Sequence, residues 1–152
     1  MTDWNAVLVG TVYEITAIVA SATISLLADR AYLGAVVLLS FGLFGGFTAG
    51  GLIDGSWRSG AYHGSIAGSI GGIAFALWLW YAMVTPNASG AFYGLTYVIA
   101  TIGIPPDFAA QYNAVLPPAF GILGIILFAI EGGLAGAAVP RGLITPPPFY
   151  PD

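Results

Sequence analysis

The chain has no cysteine and no lysine, a single histidine, and charged residues at only 7% of its 152 positions. Each shortage removes a class of function. Without cysteine there are no disulfides, no thiolate metal sites and no thiol catalysis. One histidine, His63, leaves no basis for a histidine-ligated metal, and no pattern for a cofactor is present. The phosphate-binding P-loop needs a lysine after its glycines, and the G-x-G-x-x-G fingerprint does not occur, so nucleotide binding by either device is excluded. Three arginines, Arg30, Arg58 and Arg141, stand against seven acids, for a net charge of −4. That balance gives no footprint for nucleic acid. No nucleophile–base arrangement such as G-x-S-x-G is present either, so the expectation is a protein that is not an enzyme.

What is there is apolar. The hydrophobic fraction is 58%, whereas soluble domains carry roughly 25% charged residues, and this chain cannot build such a surface. Residues 6–28 contain one charge, 31–53 none, 61–84 only His63, and 116–139 only Glu131. Crossing the hydrocarbon takes about 20 predominantly apolar residues. The expectation is an all-α integral membrane four-helix bundle, a single domain over 1–140, with spans at about 6–28, 32–53, 61–84 and 116–139. Residues 54–60, "DGSWRSG", read as a polar turn between spans two and three. Trp78 to Tyr81 read as interfacial anchors. Residues 91–104 are short for a span and read as interfacial or re-entrant; if they cross, there are five spans. Asp107 is expected to cap a short helix, and Pro117-Pro118 suit the first turn of span four. The proline-rich tail, 141–152, should be extended.

Arginine placement orients the chain. With four spans, Arg58 and Arg141 share a side, which puts a multi-pass protein in the cell membrane with both termini in the cytoplasm. The sequon at Asn87 then lies outside.

Glycine is abundant, 22 residues, and ten of them fall within 45–72. Gly42, Gly46 and Gly50 are four apart in span two; Gly60, Gly64, Gly68 and Gly72 are four apart in span three. Residues at i and i+4 share a helix face, and such small-residue faces let helices approach closely in lipid. The two ladders predict a tight helical hairpin over 42–72. Ala17, Ser21 and Ser25, and Gly132 with Gly136, are weaker versions. These faces serve either a monomeric bundle or contacts in a homo-oligomer or larger membrane complex.

Two carboxyls lie inside apolar spans. A charge there costs roughly 2.5–3.5 kcal/mol on insertion scales and often marks an ion or proton path. Glu14 and Glu131 are each eight residues from span ends that share a side, so both fall about 12 Å below one surface. If adjacent, they would share a proton. The plainer reading leaves each protonated, or bonded to a Ser, Thr or Tyr hydroxyl on a neighbouring helix. His63 lies on the same side, either gating proton uptake or simply solvated. Asp54 and Arg58 are expected to pair across the turn.

The block "FGLFGGFTAGGLIDGSWRSGAYHGSIAGSIGGIAF" resembles glycine-rich membrane proteins of unknown function from halophilic archaea. They pair a "GGxxAGxL" span end with a "GAxxGxxAGxxGG" span start, here Gly45–Leu52 and Gly60–Gly72. "FGILGIILFAIEGGLAGAA" is similar to their last span. The absence of lysine and the acidic balance fit a halophile. That resemblance implies no activity. Small multidrug transporters also have four short spans and a glutamate in the first, which maps onto Glu14 alone. Their third-span aromatic-glycine stretch has no counterpart here. Two functions therefore stand: a structural, assembly or accessory component of a membrane complex, or a proton- or cation-coupled small-molecule carrier using Glu14 and Glu131.

Overall fold

The computed structural model describes residues 2–85, 90–102 and 104–139, and every regular element among them is a helix. In chain order these are α1 (Trp4–Thr23), α2 (Ser25–Asp29), α3 (Ala31–Leu39), α4 (Gly42–Gly51), α5 (Trp57–Val84), α6 (Gly90–Thr101), α7 (Pro106–Gln111) and α8 (Leu116–Ala138). Four helices are long and apolar enough to cross a membrane: α1, α3 with α4 (Ala31–Gly51), α5 and α8. The fold is a helical bundle, and many of its large apolar side chains face outward. Val36, Leu77, Ile122 and Leu134 are each more than half exposed, as expected where lipid rather than water meets the surface.

Local chemistry sets the ends. Asp3 caps α1, its Oδ1 accepting from the Asn5 and Ala6 N–H groups. Span one was expected to run to residue 28 but breaks at Ile24, whose backbone is extended (φ −87°, ψ 102°). Span three starts at Trp57 rather than 61, because Ser56 caps α5 by accepting from the Ser59 N–H. The polar turn is correspondingly shorter, and it holds Gly55 at φ +142°, a conformation that L side chains rarely adopt. Asp107 is not a cap; it lies in the first turn of α7, and Pro105 holds the cap position. Pro117 falls in the first turn of α8, as its chemistry suggests.

Segment 91–104 contributes α6, whose 12 residues reach only about 18 Å, against a hydrocarbon core of about 30 Å. It is a packed part of the bundle. Ala91, Phe92, Leu95 and Ile99 are buried, and a side chain on Gly94 would meet Ala31 of α3. Asn87, Arg141 and the tail 141–152 lie outside the described residues.

The glycine ladders face differently from the hairpin expectation. Helices α4 and α5 are neighbours, yet both ladders point at α8. A Cβ on Gly42, Gly46 or Gly50 would strike the backbone of Phe128, Gly132 or Gly136 respectively. On α5, a Cβ on Gly64, Gly68 or Gly72 would strike Gly132, Phe128 or Ile125. Gly60 joins that row from the other side, because a Cβ on Gly136 would strike its carbonyl. So α8 runs antiparallel to α5 and parallel to α4, seated in a trough whose walls are two glycine rows. Glycine costs a helix about 1 kcal/mol relative to alanine. The return is dispersion contact between backbones, which is what holds helices together when lipid removes the hydrophobic drive.

Candidate functional site

Glu14 sits near the middle of α1 and is 0% exposed. It is accommodated because two neighbours lack side chains. A Cβ on Gly45 of α4 would fall on one carboxyl oxygen, and a Cβ on Gly71 of α5 would fall on the other. The approach of α1 to α4 is close for the same reason one turn earlier, where a Cβ on Gly10 would meet Gly45 and Ala49.

Glu131 comes from α8 and lies against Gly42, with Oε2 2.9 Å from where a Cβ on Gly42 would stand. The backbone changes pitch there. Between α3 and α4 the helix tightens to i→i−3 bonds: Ser40 N–H to Val37 O, Phe41 N–H to Leu38 O, and Leu43 N–H to Ser40 O. Phe41 thereby takes the carbonyl that Gly42 would use in a regular helix. Gly42 opens α4, and its Cβ position is the one that faces the Glu131 carboxyl. A mid-span tightening of this kind recurs at functional hinges. It also aims the N-terminal end of α4, the favourable end of its dipole, at a carboxyl group.

Gly42 and Gly45 are three apart on one helix, which puts their Cβ positions about 5–6 Å apart. With one carboxyl against each, Glu14 and Glu131 are no more than about 10 Å apart. Four buried side-chain polar atoms lack a hydrogen-bond partner among the described residues: both oxygens of Glu14, Oε2 of Glu131 and Oγ1 of Thr11. Thr11 is three residues before Glu14 on α1 and only 5% exposed. The hydroxyl partners that a plain structural role would supply for the carboxyls are therefore not in place.

His63 does not join this pair. It is 3% exposed near the start of α5, and its ring is fully engaged. The Asp3 N–H donates to Nε2 at 2.8 Å, and Nδ1–H donates to the Ser59 carbonyl at 2.7 Å. His63 thus ties the start of α1 to α5. It lies eight residues from Gly71, about 12 Å along the helix. Asp54 and Arg58 do not pair; the Arg58 guanidinium lies 5.5 Å from the centroid of the Trp57 ring.

Two of the three residues singled out from sequence therefore converge, and the third is a clamp. Sequence reasoning missed Thr11, Gly10, Gly45 and Gly71. One signal was available. Gly45-Gly46 and Gly71-Gly72 are doubled glycines, and adjacent helical positions differ by about 100°. The second member of each pair faces α8, and the first faces Glu14. Among the described residues, no group of three or more histidine, cysteine, aspartate or glutamate side chains stands together. Against known proteins, the chain matches no protein family, no curated protein and no solved structure.

Proposed function

We propose that this is a small membrane-spanning proton carrier in which Glu14 and Glu131 form the site where protons are taken up and given back. The observation that carries the reading is the Glu14 carboxyl: fully buried between two glycines, without a hydrogen-bond partner among the described residues, and near a second carboxyl. A bundle that used this group only for packing would hold it with donors, because a buried polar group without a partner costs about 1–3 kcal/mol.

A proton suits the site better than a metal cation does. Magnesium and calcium take six or more oxygen ligands, whereas backbone closes this carboxyl on two sides and, among the described residues, no third acid stands near. The reading as an assembly or accessory component rests on abundant contact-forming glycine beside very few reactive groups. The α4 and α5 ladders meet α8 of the same chain, which supports reading them as internal packing.

The test is a pH gradient imposed across reconstituted vesicles containing a trapped pH-sensitive dye. Wild-type protein is expected to collapse the gradient faster than protein-free vesicles do. Glu14→Gln is expected to reduce that rate at least tenfold while eluting and melting like wild type, and Glu131→Gln supplies a second variant. Gradient collapse by Glu14→Gln at the wild-type rate, or no collapse by the wild-type protein, overturns the proposal.

A further inference from the structure

Among the described residues, Thr11 is the one buried hydroxyl that does not bond to its own helix. On α1 the hydroxyls of Thr16, Ser21 and Thr23 donate to the carbonyls of Val12, Ile18 and Ala20. Such back-bonding is the usual fate of a hydroxyl inside a helix. The Thr11 Oγ1 is buried and has no partner among the described residues. It shares the inner face of α1 with Glu14, three residues on, with Cβ positions about 5–6 Å apart.

The surroundings of Glu14 also differ along the bundle axis. Beyond it, away from the N-terminus, come Ile18, Leu38, Phe75 and Phe128, all at most 1% exposed, with the two rings stacked at 4.9 Å. A proton crossing there would traverse a thick aromatic and aliphatic block. Before it comes Thr11, and then a smaller cluster of Val7, Ala49 and Ala67 with Ile66 and Ile70 packed against it. Beyond that cluster lie Asp3, His63 and Ser59, already engaged with one another at the end of the bundle.

From this asymmetry we infer that Thr11 is the relay residue through which Glu14 exchanges protons with the face of the membrane that carries the N-terminus. A hydroxyl both donates and accepts. In the uptake direction a hydronium on the N-terminal side gives a proton to the Thr11 oxygen and becomes water. Thr11 passes its own hydroxyl proton to a Glu14 carboxylate oxygen, which becomes the acid. One O–H bond forms for each that breaks, and Thr11 ends as it began. This inference rests on the proton-site reading of Glu14, but its readout does not depend on transport.

The experiment is difference infrared spectroscopy on the reconstituted protein. The Glu14 acid C=O band is assigned by its loss in Glu14→Gln, and its rate of shift is followed on transfer from H2O to D2O. Thr11→Val is expected to slow that exchange at least tenfold, and Thr11→Ser to restore it. Exchange in Thr11→Val as fast as in wild type overturns the relay. Equal slowing in Thr11→Ser and Thr11→Val overturns it as well, since that outcome reflects packing rather than the hydroxyl. Absence of a Glu14 acid band at every pH sinks the proton site itself. A normal exchange pattern without vesicle flux keeps the relay and removes the carrier.

Discussion

Toward the N-terminal ends of α1 and α5, helices meet backbone to backbone, at Gly10 on Gly45, Gly46 on Gly132, Gly64 on Gly132 and Gly60 on Gly136. Toward the other ends of the same helices the interior is filled with rings and branched chains: Ile18, Leu38, Phe75, Leu79, Phe92 and Phe128. Phe75 is the hinge of that second region, stacked on Phe128 and 6.0 Å from Phe92. Gly124 leaves room for its ring. The comparison separates two ways of filling space without water. One removes side chains so that main chains touch, and the other interlocks large ones. Glu14 and Glu131 lie where the first regime gives way to the second. That is the one level where a missing side chain leaves room for a carboxyl instead of for another helix.

Three substitutions probe this contrast. Gly132→Val should have the largest effect, since Gly46 and Gly64 press on Gly132 from two helices and neither backbone can yield. Overpacking of this kind costs about 3 kcal/mol or more, and the expected result is loss of the monodisperse folded species in size-exclusion chromatography. A wild-type elution profile and melting temperature would show that the helices are not in backbone contact.

Phe128→Ala should cost less, because lipid solvates the ring in the dissociated state and removes the transfer contribution. The cavity contribution remains, about 2 kcal/mol for roughly 100 Å³ at ~24 cal/mol per Å³. A lower melting midpoint with an intact fold is the expected reading in denaturant titration. A loss as large as that for Gly132→Val would erase the distinction between the two regions.

His63→Ala should be the mildest, about 1 kcal/mol for lost hydrogen bonds. Its effect is expected to be local, as faster hydrogen exchange at the amides of residues 5–7 with the rest of α1 unchanged. Uniform acceleration along α1 would contradict a clamp confined to the end.

The spans were legible because about 20 apolar residues in a row have few alternatives, and their limits fall within a few residues of those read from hydropathy. The breaks were not. Ile24 has no glycine or proline beside it to announce an extended residue, and Ser40-Phe41 carries no helix-stop signal for its tightened turn. Glu14 and Glu131 stood out because charge is rare in such runs. Their common depth was read from the topology, but their proximity followed only once α4 was seen to meet both α1 and α8. Spacing by four names the residues on one face, but it does not say which neighbour that face meets. For that reason the ladders pointed to the wrong pair of helices. Thr11 was invisible because its distinction is the lack of a bond that other hydroxyls make, and no sequence pattern encodes that.

The trough that receives α8 also bears on how this protein can change over evolutionary time. Outward positions such as Leu77 or Ile122 need only be apolar, so they are free to drift. The rungs at Gly46, Gly64 and Gly132 admit nothing larger than hydrogen. Two distant descendants would share little except a comb of small residues at intervals of four, together with the doubled glycines that make way for the acid. A search keyed to that comb, rather than to overall identity, is the way to find kin.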